Sequence, residues 1–136
     1  ELLPLAESEG LGVIPYSPLG GGLLSGKYSR EGRPESGRLV ENALYAKRYG
    51  DPQHWEATDR FNDFARQHDL HPASLAVAWV MSHPAVTAPI IGARNVEQLR
   101  ASLDAVEIEM TPQLRAEVSA LSAAPAVATD RSEERA

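Results

Sequence analysis

The segment Tyr16–Tyr28 carries the side chains and backbone best suited to binding an anion. Three consecutive glycines, Gly20–Gly22, let backbone N–H groups approach an anion without side chains in the way. Lys27 supplies a positive charge for phosphate, and Ser17 offers a hydroxyl donor. Tyr16 offers a flat ring for stacking. The alternative is that the glycines form only a flexible turn and that Lys27 is solvated.

This segment is not a typical phosphate-binding P-loop. The spacing Gly-x-x-x-x-Gly-Lys occurs from Gly21 to Lys27, but Tyr28 follows where Ser or Thr is required. No helical pattern begins there either, so the segment indicates a different way of holding an anion.

A second candidate site lies in the segment Gly92–Gln98. Asn95 and Gln98 have the spacing of a capping box, which predicts that a helix begins there. Free N–H groups and the helix dipole favour an anion at such a position, and Arg94 adds a planar fork that can bind phosphate through two hydrogen bonds. Asn95 is then either a cap or a ligand contact. The alternative is an ordinary capped helix with a solvated arginine.

Both segments follow predicted strands. Gly12–Tyr16 and Val86–Ile91 are short apolar runs bounded by turn residues, which is typical of strands buried in a parallel sheet. Pro15 shortens the first strand because proline donates no ladder hydrogen bond. Ligands of α/β proteins bind at the carboxyl ends of parallel strands, where these two segments begin.

Helical patterns account for most of the remaining chain. A long loop, Gly20–Tyr49, separates the first strand from these helices and contains one short helix, Ala43–Arg48. Thr58 and Asp59 are candidate caps, and residues 73–81 are apolar nearly all round, which predicts burial. Apolar residues at helical spacing define one stripe, Leu99, Leu103 and Val106, and another, Leu114, Val118 and Leu121. The predicted helices are residues 1–9, 55–68, 72–82, 96–106 and one that begins at Thr111-Pro112.

This order of elements predicts an α/β protein with an incomplete fold. Two parallel strands cannot bury both of their faces without neighbouring strands. A (β/α)8 TIM barrel needs about 250 residues, so we interpret residues 1–122 as a C-terminal fragment of such a barrel, its last two strands with their helices. Residues 123–136 have the composition of a disordered tail. Because residue 1 is Glu and not Met, we expect a processed chain or a piece of a longer one.

Composition excludes several classes of function. The chain has 13 Lys and Arg against 19 Asp and Glu, a net charge of -6, which argues against nucleic acid as the main partner. No apolar run approaches the roughly 18 residues of a membrane span, so we expect no membrane partner and a cytoplasmic location. The absence of cysteine excludes disulfides. His68 and His71 lack a well-spaced third ligand, so no metal site is predicted.

Four segments together resemble the aldo/keto reductases, which are NADP-dependent barrel enzymes. Tyr16–Tyr28 is similar to the family signature after the seventh barrel strand, and Pro34–Arg38 is similar to the arginine-bearing loop that follows it. His71–Met81 resembles the seventh helix, and Ile90–Gln98 resembles the end of the eighth strand. The likeness runs in the family's order from about Leu2 to Leu121.

The resemblance implies a cofactor-binding role for eleven residues. It implies that Tyr16 stacks on the nicotinamide of NADP(H), that the residues after it wrap the pyrophosphate, and that Arg94 contributes to binding the 2′-phosphate. The implied set is Tyr16, Ser17, Pro18, Leu19, Gly20, Gly21, Lys27, Arg38, Gly92, Arg94 and Gln98. Relatives commonly carry an acidic residue and Asn where this chain has Ala101 and Ser102, so the usual adenine contacts are expected to be missing or replaced.

No catalytic residue is assigned. In the family the catalytic Asp, Tyr, Lys and His come from the N-terminal half of the barrel, to which nothing in this sequence corresponds. We therefore expect the parent protein to reduce aldehydes or ketones to alcohols with NADP(H), and the isolated chain to be inactive without the missing N-terminal half. Alternatives are a non-catalytic, NADP-binding regulatory or channel-associated subunit of the same fold, and a small interaction protein.

Overall fold

The computed structural model describes residues 2–124, and helices dominate this part of the chain. Two 3-10 helices, Gly20–Ser25 and Asp104–Glu107, supplement the α-helices. The α-helices are α1 (Leu2–Ser8), α2 (Arg38–Glu41), α3 (Ala43–Arg48), α4 (Pro52–Gln67), α5 (Pro72–Met81), α6 (Val96–Leu103) and α7 (Pro112–Ser119).

The two predicted strands meet side by side and in parallel, but they form only isolated bridges within residues 2–124. One bridge joins Val13 to Val86 and the other joins Tyr16 to Ile90. The backbone N–H of Ile90 donates to the carbonyl of Pro15 at 2.8 Å, while Pro15 itself has no N–H to donate. The prediction of two continuous strands was therefore wrong for this part of the chain, although their position and direction agree.

Helix α5 lies at the centre of the described structure. Its residues Ala73–Ala78 are all buried, as the apolar sequence predicts. Leu75 is fully buried and packs with Phe61 and Ala65 of α4 and with Val118 of α7. Removing these side chains from water is the main stabilising contribution in this part of the chain.

Helix α4 begins earlier than its apolar pattern predicts. It begins at Pro52, and the Asp51 carboxylate caps it by accepting a hydrogen bond from the Gln53 N–H at 2.8 Å. Thr58, a predicted cap, lies inside the helix, where its hydroxyl donates to the carbonyl of His54 at 2.8 Å. The prediction failed because Asp51-Pro52 provides the stronger start signal, with proline in the first turn.

The apolar stripe of α6 and the following 3-10 helix is largely uncovered. The relative exposure is 40% for Leu99, 53% for Leu103 and 67% for Val106. The predicted stripe is thus present, but the elements within residues 2–124 cover it only in part. Leu11 and Ile14, on the bridged segment, are also exposed, by 61% and 59%.

Two sequence-based expectations concern the chain as a whole. Among residues 2–124, no helix combines the length and the apolar character needed to cross a membrane. The predicted tail, residues 123–136, lies outside the described residues apart from its first two positions. The division of the chain at residue 122 stays a prediction.

The Thr111 cap of α7 allows a test of local stability. The Thr111 hydroxyl accepts a hydrogen bond from the Leu114 N–H at 3.1 Å. Thr111→Ala leaves this N–H without its partner and is expected to lower the free energy of unfolding by about 1 kcal/mol. Urea denaturation measures the loss. Thr111→Ser keeps the hydroxyl and should retain most of the stability, so equal losses in both variants would contradict a capping role.

Candidate functional site

The two bridges bring the predicted anion-binding segments together. Tyr16 pairs with Ile90, so the glycine-rich segment and the Arg94 segment begin next to each other. Between them lies a cleft of about 600 Å³. Ten of the eleven residues expected to bind a cofactor line it: Tyr16, Ser17, Pro18, Leu19, Gly21, Lys27, Arg38, Gly92, Arg94 and Gln98.

The glycine-rich loop turns sharply through backbone conformations that favour glycine. Ser17 has a φ of 56°, and Gly20, Gly21 and Gly22 have φ values of 57°, 68° and 103°. The Gly20 N–H donates to the Ser17 carbonyl at 2.9 Å, which closes the turn. Gly20 itself does not line the cleft, and a side chain there would meet Tyr49. The loop therefore forms a turn that is closed by a backbone hydrogen bond.

Lys27 is held above a buried aromatic ring. Its Nζ atom lies 5.1 Å from the centroid of the Tyr28 ring, which is 1% exposed and packs edge-on against Trp55. Gly37 covers this pair, and a Cβ atom on Gly37 would lie 2.9 Å from the Lys27 Nζ atom. The Lys27 ammonium therefore lies at a cation-π distance from the buried ring, and the residue also lines the cleft.

Arg38 follows Gly37 and reaches the cleft from the first turn of α2. Its guanidinium carbon lies 5.0 Å from the centroid of the Tyr45 ring, a cation-π distance. Stacking of this kind restricts the side chain while leaving N–H donors at its edge for a ligand.

Arg94 lies at the start of α6, where the capping interactions are tight. The Asn95 side chain accepts a hydrogen bond from the Gln98 N–H at 2.9 Å. The Gln98 side chain accepts from the Arg94 N–H at 3.1 Å, one residue earlier than a capping box requires. Asn95 is therefore a cap, and the Gln98 carbonyl oxygen is engaged, which leaves the Gln98 amide as a donor toward the cleft.

The charges around the cleft favour an anion. Three basic side chains, Lys27, Arg38 and Arg94, line it, against the single lining carboxylate of Glu97. This local excess contrasts with the net charge of -6 for the whole chain. A cluster of basic groups in a concave site concentrates anions by long-range attraction.

Ala101 and Ser102 also line the cleft. Ser102 is 3% exposed, and the Ala101 carbonyl accepts a hydrogen bond from the Ser74 hydroxyl at 2.5 Å. Neither side chain carries the carboxylate or amide that the resemblance leads one to expect at these positions.

Two tyrosines near the cleft, Tyr45 and Tyr49, and the histidines His68 and His71 make packing or capping contacts, and His71 also lines the cleft. Tyr45 and Tyr49 stack with a centroid distance of 6.4 Å, beside the buried Tyr28. The His71 Nδ1 atom accepts from the Ala73 N–H at 3.1 Å and caps α5. His68 stacks on the Phe64 ring at 4.2 Å. Within residues 2–124, no three His, Asp or Glu side chains are grouped to hold a metal ion.

Sequence reasoning missed two residues at this site. Gly37 seats α2 above Lys27 and Tyr28, and Glu41 forms an ion pair with Arg94 at 3.6 Å between the two side chains. Glu41 and Arg94 lie far apart in the sequence, and Gly37 lies in an irregular loop. No local sequence pattern therefore indicates either contact.

Comparisons with known proteins agree on one family. A family model described as the aldo/keto reductase family matches residues 1–123. An uncharacterized oxidoreductase, YrpG of Bacillus subtilis, is 39% identical over 114 residues, which cover 84% of this chain and 33% of the relative. An uncharacterized oxidoreductase of Mycobacterium bovis is 41% identical over 115 residues, covering 85% of this chain and 35% of the relative.

A third relative carries a different kind of name. It is a putative voltage-gated potassium channel subunit beta of Schizosaccharomyces pombe, 34% identical over 122 residues, with 84% of this chain and 35% of the relative covered. The chain thus spans about a third of the length of these curated relatives.

Proposed function

Because the chain belongs to the aldo/keto reductase family, we propose that it supplies the C-terminal NADP(H)-binding segments of a barrel enzyme that reduces aldehydes or ketones to alcohols. The observation that carries this proposal is the shared cleft. Residues from positions 16 to 38 and from 92 to 98 line one concave surface with three basic side chains.

The residues of the cleft fit a phosphorylated dinucleotide. Gly21 lines the cleft without a side chain, while the Gly20 and Gly22 N–H groups donate within the turn to the Ser17 and Leu19 carbonyls. Lys27 and Arg38 add positive charge beside this turn. These features suit a pyrophosphate. Arg94 at the start of α6 suits a second phosphate, because its guanidinium and the helix N-terminus both favour an anion. A cleft of about 600 Å³ falls within the usual size of ligand pockets.

Tyr16 is available for stacking on a planar ring. Its side chain lies at the edge of the cleft and is 72% exposed. A flat aromatic face orients a ring without forming a covalent bond. The bound cofactor would supply a hydride. The residues of the chain would hold the cofactor in a fixed orientation.

The groups that deliver a proton to the carbonyl are proposed to lie in the N-terminal half of the barrel, to which this sequence has no counterpart. The exposed apolar residues Leu11, Ile14 and Leu103 support this division. They lie on the bridged segment and on α6, where further strands and helices of a barrel would cover them. The small-molecule carbonyl substrate is expected to bind where the two parts meet.

A regulatory role is the second candidate, since one relative is named as a potassium channel subunit beta. In that role the same cleft would bind NADP(H) and occupancy would alter a partner protein without turnover. The two candidates share the cofactor site and differ in catalysis.

Titration with NADPH and an aldehyde-dependent oxidation assay test the proposal together. We expect the 136-residue chain to bind NADPH, seen as a change in tryptophan fluorescence, and to show no NADPH oxidation with an aldehyde. Robust turnover would contradict the proposal that proton delivery needs the other half of the barrel. A helical chain, verified by circular dichroism, that binds no NADPH would contradict the cofactor role.

A further inference from the structure

We propose that Glu41 weakens the preference of the cleft for a 2′-phosphate by competing for Arg94. The inference rests on the proposed function, because it concerns how the same cleft distinguishes NADPH from NADH. It assigns to Glu41 a role in specificity and not in catalysis.

Within residues 2–124, the anion that contacts the Arg94 guanidinium is the Glu41 carboxylate. The distance from the Arg94 Nη2 atom to the Glu41 Oε2 atom is 3.6 Å. Glu41 ends α2, the helix that carries Arg38 into the cleft, and Arg94 begins the segment on the opposite side. The ion pair therefore joins the end of α2 to the segment that precedes α6, next to the residues that line the cleft.

The exposure of the pair shows that it contributes little to folding. The side chains of Arg94 and Glu41 are 60% and 51% exposed. Ion pairs this accessible to water are weak, so both groups can exchange partners at small cost. A ligand phosphate that approaches Arg94 must replace the carboxylate or accept it as a neighbour of like charge.

A carboxylate at this position affects the two cofactors in opposite ways. It repels the dianionic 2′-phosphate of NADPH, but it can accept a hydrogen bond from the ribose 2′-hydroxyl of NADH. Arg94 favours the phosphate. The Arg94–Glu41 pair would therefore give the cleft a smaller NADPH preference than Arg94 alone would give.

Glu97 provides a matched control for the substitution of Glu41. Glu97 lines the same cleft and lies on the first turn of α6, but it forms no ion pair with Arg94. Glu97→Gln removes the same formal charge as Glu41→Gln, but from a side chain that lines the cleft and does not pair with Arg94. A difference between the two variants therefore reports the contact with Arg94 and not the general field of the cleft.

Binding titrations with NADPH, NADH, 2′-AMP and 5′-AMP at fixed ionic strength test the inference. Glu41→Gln should tighten NADPH and 2′-AMP by about two- to fivefold, the range expected when a weak exposed pair is removed. NADH and 5′-AMP should bind equally well or less tightly. Glu97→Gln should change the NADPH to NADH ratio by less than half as much, and Glu41→Gln should have no effect on that ratio when Arg94 is replaced by alanine.

The outcomes separate this inference from the proposed function. NADPH could bind while Glu41→Gln and Glu97→Gln change the ratio of NADPH to NADH affinity equally. In that case the inference about Glu41 would be wrong, but the proposed cofactor site would remain supported. The same holds if the effect of Glu41→Gln persists without Arg94. If no dinucleotide binds to the folded protein, the proposed function fails and the inference fails with it.

Discussion

Replacing Arg94 with alanine is expected to weaken NADPH binding by about 10- to 100-fold, the range for losing charged hydrogen bonds to a phosphate. Arg94 lies at the start of α6, and its side chain lines the cleft. NADH has no 2′-phosphate, so its dissociation constant should change by less than about threefold, the usual worth of an exposed ion pair or less. Fluorescence titration of both cofactors at one salt concentration measures the difference.

Two further arginine variants make this prediction specific. Arg94→Lys keeps the charge but loses the planar fork, so its NADPH affinity should fall between those of the wild type and Arg94→Ala. Arg100→Ala removes the same charge from the last turn of α6 and should leave both cofactors nearly unaffected. If Arg94→Ala weakened NADPH and NADH equally, Arg94 would hold a group common to both, and the assignment to the 2′-phosphate would be wrong.

The starts of α5, α6 and α7 could be predicted from the sequence because their signals are local, whereas the equally local signal of Asp51-Pro52 for α4 was missed. His71-Pro72, Asn95 and Thr111 each mark a helix start, and each side chain accepts a backbone N–H within three residues. Such bonds form within one turn of chain and do not depend on distant packing. The stop at Gly10, with a φ of 64°, is equally local.

Strand pairing and burial could not be predicted in the same way. A ladder needs partners along its whole length, and within residues 2–124 Val13 and Tyr16 each form one bridge. The stripe that includes Leu99 and Leu103 is apolar by sequence, yet the described residues cover it only in part. The pattern shows which face of a helix is apolar, but it does not show which element covers that face.

The residues of the candidate site also divide into those that a local motif predicts and those that only the fold brings together. The residues of the two continuous motifs, such as Lys27 and Arg94, could be named from sequence, and the structure brings them to one cleft. Glu41 and Gly37 could not, because their importance comes from contacts with residues brought near by the fold. The sequence from 20 to 49 shows no hydrophobic periodicity. The orientation of its short helices and the contacts of Glu41 and Gly37 therefore could not be predicted from it.

Gly37 is the position where a single methyl group is expected to disturb the cleft most. Its φ of 149° and ψ of 164° lie in a region that is essentially restricted to glycine. A Cβ atom there would overlap the Tyr28 hydroxyl oxygen and crowd the Lys27 Nζ atom. Backbone strain and overpacking together should lower the free energy of unfolding by about 2 to 4 kcal/mol in Gly37→Ala.

The same change should also impair the cleft. Gly37 directly precedes Arg38, so a shift of α2 moves Arg38, and the added Cβ atom would crowd the Lys27 Nζ atom. We expect NADPH affinity to fall at least about tenfold, as for the loss of one charged hydrogen bond. Urea denaturation and NADPH titration of the same preparations measure the two effects.

Two variants separate the steric overlap from the backbone strain. Gly10→Ala also places a side chain at a positive φ, 64°, but nothing lies within 4 Å of its Cβ position. It should cost about 1 kcal/mol and leave NADPH binding intact. Tyr28→Phe removes the overlapping hydroxyl, which has no hydrogen-bond partner within the described residues. When it is added to Gly37→Ala, Tyr28→Phe should therefore restore part of the free energy of unfolding and part of the NADPH affinity. If Tyr28→Phe instead lowered both further, the hydroxyl would be needed to support Lys27, and the steric explanation would be wrong.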